Sequence, residues 1–228
     1  MGKNSNYNGR GFLLEIPDDL VTELFAAAVP ARLKAGDSLF QAGDVGDGCY
    51  RVEEGLLKVT IASRSGSERI LTFLGAGAIV GELSMIDGLP RSASVTAMRD
   101  ATLSFVKRTA FRRLVRKRPE LYEMLVMLLA KRLRETDGAV AAMSFLRLRG
   151  RLARALLELA KDFGHDVGSG RIVIRQKIAH NDLAAMVGTA RENVTRVLND
   201  WKRTKLVTRL SGYYCLENTA KLEEQGEL

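Results

Sequence analysis

Eight glycines, at positions 36, 43, 46, 48, 55, 66, 75 and 77, cut one stretch of this chain into pieces shorter than an ordinary helix of about 11–12 residues. Such pieces suit short strands, and from residue 32 to residue 106 the texture is that of strands punctuated by turns, with alternation clearest at Leu57, Val59 and Ile61. Many short strands with regular turn signals specify an antiparallel β-roll. A roll of this kind also serves metal-dependent enzymes, whose ligands are clustered histidines with a carboxylate. Both histidines, His165 and His180, lie outside the stretch, so that enzyme reading loses its metal site.

Around the roll the period changes to helical. Leu20, Val21, Leu24, Phe25 and Ala28 recur at helical spacing from about Asp18 to Pro30. After the strands, Thr109 reads as the N-cap of a helix over 111–117 whose Arg112, Arg113, Arg116 and Lys117, with Arg118, form a solvated face; contact with DNA phosphates is the alternative. Pro119 suits the start of a new helix. Tyr122, Val126, Leu129, Leu133, Thr136, Val140 and Met143 then follow at alternating steps of four and three, a heptad seam that parallel two-stranded pairing would bury, so a homodimer is expected. Thr136 is the polar member of that seam and needs a partner for its hydroxyl, its own i−4 carbonyl or a ligand. Gly138 weakens the helix by about 1 kcal/mol relative to Ala, which marks the stretch after Thr136 as one that a ligand could order.

The chemistry concentrates at residues 81–93, Gly-Glu-Leu-Ser-Met-Ile-Asp-Gly-Leu-Pro-Arg-Ser-Ala. Gly81 lets backbone N–H groups approach an anion, a short helix opens after it, Arg91 can fork two donors onto phosphate oxygens, and Ser92 adds a hydroxyl. Glu82 would repel a phosphate, so its natural partner is a ribose hydroxyl. A surface turn with a solvated Arg is the plain alternative for any one of these residues. Farther on, 148–163 is amphipathic, and 164–170 reads as a polar loop leading to a strand over 171–174. From Asn181, Leu183, Met186 and Val187 form one apolar face, Gly188 a turn, and Val194, Val197, Leu198 and Trp201 the inner face of a second helix, with Arg191, Glu192, Thr195 and Arg196 outward. Glu192 could alternatively close a capping box with Thr189 or pair with Arg196. Ser211-Gly212 joins 207–210 to 213–216 as a tight hairpin, and an acidic helix of no evident function ends the chain.

The cassette resembles that of the bacterial cyclic-AMP receptor family, which includes the fumarate and nitrate reduction regulators, and the resemblance runs over nearly all of the chain. It implies a 3′,5′-cyclic nucleotide held by Gly81, Glu82, Leu83, Ser84, Arg91, Ser92 and Ala93, with Glu82 on the ribose and Arg91 and Ser92 on the cyclic phosphate. It places Thr136 on the base, and Asp137 where a Ser commonly follows. A carboxylate there accepts from the adenine amino group and equally from guanine N–H groups, so the residues leave the purine open; the resemblance implies cyclic AMP, with cyclic GMP as the alternative ligand. The resemblance makes the second helix after Gly188 a recognition helix, with His180, Thr189, Arg191, Glu192, Thr195 and Arg196 facing double-stranded DNA that carries an inverted-repeat operator, and RNA polymerase as a further partner. Arginine can clamp guanine and glutamate can accept from cytosine. Three positions depart from the family's pattern: Ala179 lacks the usual Ser/Thr cap, Ala190 replaces a phosphate-touching hydroxyl, and Arg147 stands where an acidic cap is common.

Length and charge agree with that reading. The 228 residues suit two modest domains, and a net charge of +8 points to a polyanionic partner. Cys49 and Cys215 are far apart and unpatterned, giving no support to a disulfide framework, a haem motif or an iron–sulfur cluster. No apolar run approaches the roughly 20 residues of a membrane span, and residues 1–10 are polar, unlike a signal peptide, so a cytoplasmic location is expected. The expected fold is α+β: a cyclic-nucleotide-type antiparallel β-roll over 1–118, a dimerisation helix over 119–145 and a winged helix-turn-helix over 146–228. The expected protein is a nucleotide-responsive, non-enzymatic DNA-binding regulator; the alternatives are a ligand-independent regulator with a structural cassette and a sensor acting through protein partners.

Overall fold

The computed structural model describes residues 18–227, leaving aside the side chains of 18, 19, 123–125, 128, 131 and 132. The polar segment over 1–10 lies outside the described residues. The chain divides into two compact units, one extending to Arg134 and the other beginning at Glu135, and the division falls within a single long helix.

In the first unit, helix α1 (Asp18–Phe25) precedes strands β1 (Val29–Leu33), β2 (Ser38–Phe40), β3 (Gly48–Glu54), β4 (Leu57–Ala62), β5 (Glu68–Leu74) and β6 (Ile79–Val80). Helix α2 (Glu82–Asp87), strands β7 (Ser94–Ala97) and β8 (Ala101–Lys107), helix α3 (Arg108–Lys117) and helix α4 (Glu120–Phe145) follow. Two four-stranded antiparallel sheets, ordered β1-β8-β3-β6 and β2-β7-β4-β5, enclose a core that draws Val52 and Leu103 from one and Leu57, Leu74 and Val95 from the other. This is the roll that the glycine spacing requires. A second cluster, Leu20, Cys49, Ile79, Met85, Val106, Phe111, Leu114 and Val115, seats α1, α2 and α3 against it.

Two local expectations fail for visible reasons. The register of β4 on β5 shifts between Val59 and Thr60, so Thr60 turns inward and is buried while Ile61 faces solvent. An added residue in one strand reverses every later side chain, and alternation alone does not reveal it. Thr109 is not the cap of α3; Lys107 occupies that place, and Thr109 lies in the first turn. Arg112, Arg113, Arg116 and Lys117 are exposed on α3, whereas Arg118 pairs with Glu23 at 3.5 Å and with Glu120.

The second unit holds α5 (Leu148–Phe163), β9 (Gly164–Gly168), β10 (Arg171–Ile174), α6 (His180–Val187), α7 (Arg191–Arg203), β11 (Val207–Leu210), β12 (Tyr213–Leu216) and α8 (Thr219–Gly226). Its sheet is ordered β11-β12-β10-β9, and Leu152, Leu156, Leu198, Trp201 and Leu216 are buried. The expected loop over 164–170 is instead mostly β9, paired with β10 from Ile174↔Gly164 onward. Gly164 is required for packing there, since a Cβ would lie 2.0 Å from the Ala160 carbonyl oxygen. The final helix also has a structural role: α8 packs on α5, Leu222 is fully buried, and a Cβ on Gly150 would meet the Gln225 carbonyl at 2.6 Å.

Candidate functional site

Arg91 organises the cassette. Its Nη1 donates to the Gly48 and Gly81 carbonyls, both at 2.8 Å, and its guanidinium carbon sits 4.3 Å from the centroid of the Phe40 ring. The side chain is 6 % exposed, and its Nε is buried without a hydrogen-bond partner. A buried charge-bearing donor left so is costly, and a ligand acceptor at that nitrogen would remove the cost. Gly81, at φ 82°, opens α2 in the left-handed region; a Cβ there would lie 2.3 Å from Arg91 Nη1. A Cβ on Gly46 would come within 2.4 Å of Ser84 Cβ and 2.9 Å of Arg91 Nε. The backbone pairs Gly43 N with Arg91 O and Arg91 N with Asp44 O, both at 2.8 Å, which ties the 43–46 loop to the cassette.

Of the other predicted residues, Glu82, Ser84 and Ala93 are buried, Leu83 is half-buried and Ser92 is exposed. The six-residue α2 offers only a short turn of N–H groups, so Arg91 supplies the dominant positive charge. Burial pushes the Cys49 thiol up to about 12, with Glu82 adding to the rise and Arg91 opposing it. Burial also raises the Tyr50 phenol, again against Arg91. The cassette thus carries a buried cation, a buried carboxylate and a buried hydroxyl at Ser84. That set can take an anion at Arg91 and a hydroxyl donor at Glu82, which fits a phosphate and a sugar on one small ligand.

Sequence reasoning missed Arg108. Its Nε donates to Met85 O at 2.9 Å and its Nη2 to Ile86 O at 3.2 Å, so it closes the C-terminal end of α2 with a cation. No local pattern announces this contact. Gly48, Gly46 and Phe40 were missed as well, because each reaches Arg91 only through the folded roll.

Thr136 and Asp137 are exposed on α4, in the unit that begins at Glu135. Along that helix Tyr122, Val126, Leu133 and Val140 are each at least 61 % exposed, an apolar seam left open in a single chain.

In the second unit, α6 ends at Gly188 in the left-handed region, and α7 buries Val194, Val197, Leu198 and Trp201 while Arg191, Glu192 and Arg196 face solvent. The missing cap at Ala179 is offset by Asp182, whose carboxylate accepts from the Ala179 N–H at 3.2 Å. Glu192 does not close a box with Thr189; the cap of α7 is Ala190, and Thr189 Oγ1 accepts from Asn193 Nδ2 at 3.1 Å. Thr195 is half-buried with its hydroxyl 2.8 Å from His180 Nδ1. The β11–β12 hairpin turns through Ser211 and Gly212, both at positive φ. Arg209 lies over the Tyr214 ring and donates to Ile178 O at 3.1 Å, while Lys177 lies over Tyr213. Among the described residues no helix is long and apolar enough to cross a membrane, and no group of three or more His, Cys, Asp or Glu side chains is placed to hold a metal ion.

A β-roll joined by a long helix to a winged helix-turn-helix defines a class, that of DNA-binding transcription regulators with a cyclic-nucleotide-binding domain. Residues 30–118 match the family description "Cyclic nucleotide-binding domain", and residues 150–225 match "Crp-like helix-turn-helix domain". The chain is 31% identical over 191 residues to the CRP-like cAMP-activated global transcriptional regulator of Mycobacterium tuberculosis, covering 84% of this chain and 85% of the relative. It is 36% identical over 189 residues to the cyclic AMP receptor protein of Thermus thermophilus, covering 83% and 84%. Its fold superposes with a TM-score of 0.69 on a CRP/FNR-family transcriptional regulator of Thermus thermophilus, at 30% identity and covering 88% of this chain and 99% of the other. The chain belongs to the cyclic AMP receptor protein family, the CRP/FNR regulators.

Proposed function

We propose that this protein is a homodimeric, cytoplasmic regulator that binds a 3′,5′-cyclic nucleotide, cyclic AMP first and cyclic GMP second, and that the bound nucleotide promotes sequence-specific binding to an inverted-repeat operator, with RNA polymerase as its partner in transcription. The observation that carries the reading is Arg91, fixed by two carbonyls yet retaining a buried Nε without a partner beside Gly81. In this reading Arg91 holds the cyclic phosphate with Ser92, Glu82 takes the ribose hydroxyl, Gly81, Leu83, Ser84 and Ala93 shape the wall, and Thr136 and Asp137 take the base. The exposed seam of α4 supports dimerisation, which would bury its apolar residues. Nucleotide can favour operator binding only by binding one arrangement of the dimer better than the other, and the coupling must then be reciprocal.

A second reading draws on the same side chain. Stacked on Phe40 and bonded to Gly48 and Gly81, Arg91 could hold the cassette together without ligand, as in a nucleotide-independent regulator. Calorimetry with cyclic AMP and cyclic GMP, on the wild type and on Arg91→Ala, separates the two. The proposal expects binding that the substitution weakens by at least about tenfold, the worth of one charge-assisted bond of roughly 1.5–3 kcal/mol. No binding of either nucleotide to the folded wild type would leave the second reading standing.

A further inference from the structure

His180 sits where three elements of the reading head meet. Its Nδ1 lies 2.8 Å from Thr195 Oγ1 on α7, and its ring stacks on Tyr214 of β12 with centroids 6.5 Å apart. The charged groups that face it are cationic: Arg191 at the start of α7 and Arg209 on β11. Tyr214 beside it is buried, and its phenol is pushed up to about 12, mainly by burial, so it stays neutral. On its own element, Asp182 is engaged with the Ala179 N–H, and Lys177 in the preceding segment lies over Tyr213.

We propose that His180 is a proton-coupled positioning residue of the DNA-reading surface, which ties the start of α6 to the recognition helix through Thr195 and takes up a proton when the duplex binds. The link to Thr195 tolerates both states. A neutral imidazole can accept from the hydroxyl at Nδ1, and an imidazolium donates to the same oxygen after the hydroxyl turns. What changes is charge. In the free protein, burial and the two arginines hold the imidazole below its ordinary range. The negative charge of a bound duplex lies over the surface that carries Arg191 and Arg209, offsets their repulsion of the imidazolium whichever DNA groups they touch, and favours the charged form. A group whose protonation is favoured in the complex draws a proton on binding, so operator affinity rises as pH falls. This inference rests on the DNA-binding reading above.

The chain has two histidines, so the imidazole resonances are assignable by comparison with a His165→Asn variant. The test uses the full chain and the duplex that it selects from a randomised pool with cyclic AMP or cyclic GMP present. The His180 titration is followed by NMR with and without that duplex, and affinity is measured between about pH 5.5 and pH 8 at one salt concentration. The expected result is a higher His180 midpoint in the complex, with affinity gaining up to about tenfold per pH unit for each imidazole that takes up a whole proton. His180→Asn keeps a polar group at the Nδ1 position and should flatten that profile, whatever its affinity. A duplex bound with the His180 midpoint unchanged or lowered overturns the inference and leaves DNA binding intact. Failure to select or bind any duplex, with either nucleotide, overturns both.

Discussion

The guanidinium of Arg154 occupies the space beside Gly138: a Cβ at Gly138 would fall 2.7 Å from Arg154 Nη2, and Arg154 Nε donates to Glu158 at 3.1 Å. Gly138 is therefore both a weak point of α4 and the place where a side chain of α5 lies against it. Gly138→Ala gains about 1 kcal/mol of helix propensity and displaces only the far end of a flexible arginine. The variant should be more stable than wild type and bind operator more tightly without nucleotide. In an Arg154→Ala background the stabilisation should be larger, which a double-mutant cycle of melting temperatures and operator affinities reads directly. Equal gains in both backgrounds would show that Arg154 does not oppose the alanine.

Gly46→Ala tests the cradle around Arg91. Its Cβ would lie within 2.4 Å of Ser84 Cβ, on a wall that is already buried, so Ser84 and Arg91 must shift. Overpacking of this kind costs about 1–3 kcal/mol. The melting temperature should fall and nucleotide affinity should drop at least in proportion, whereas a variant that binds cyclic AMP normally would show that the pocket does not use this wall.

Asp137 is exposed on α4 and free to present a carboxylate to a purine. Asp137→Ala should change the ratio of cyclic AMP to cyclic GMP affinity, because the two bases offer different donors. Calorimetry with both ligands measures the ratio, and an equal loss for each would remove the base-reading role.

Arg191, Glu192 and Arg196 are the exposed polar face of α7. Replacing each in turn by Ala should relax preference at particular base pairs of the selected duplex by about 1–3 kcal/mol. Binding measured on a set of single-base variants distinguishes this from uniform weakening, which would identify phosphate contacts instead.

Asp200 joins α7 to α5, accepting from Arg149 Nη2 at 2.5 Å and from Arg203 as well. Its carboxyl lies below the usual range, chiefly because of the Arg203 hydrogen bond. A depressed folded-state value means that the contribution is present above the unfolded value and disappears as pH falls through the folded one. Asp200→Asn should therefore melt slightly below wild type at neutral pH, with the difference closing in acid as pH falls through the depressed folded-state value, and a difference that persisted in strong acid would point to packing.

The helical and hairpin parts of the reading head were legible because their signals are local. The apolar spacing of 148–163 matches α5 residue for residue, and Ser211-Gly212 supplies the turn that β11 and β12 need. Signals that depend on distant residues were not legible. Arg91 was readable as a cation, but Gly48, whose carbonyl holds it, lies 43 residues away, and Arg108 reaches Met85 across 23. Gly164 looked like loop material because sequence does not distinguish a glycine kept for close packing from one kept for a turn. The inversion at Thr60 likewise follows from a register shift against β5, which the residues of β4 alone do not encode.

The two cysteines have a practical consequence. Cys49 is wholly buried with its thiol protonated up to about 12, while Cys215 is partly open on the β12 strand of the wing. Thiolate is the reactive form, and burial with Glu217 raises the Cys215 thiol too; access then decides, so an alkylating probe applied to the folded native chain at alkaline pH should mark the partly open Cys215 slowly and spare Cys49. In the proposed dimer a spin label or fluorophore introduced this way would sit on each β11–β12 hairpin, and the distance between the two labels would test whether added nucleotide changes the separation of the two DNA-binding units.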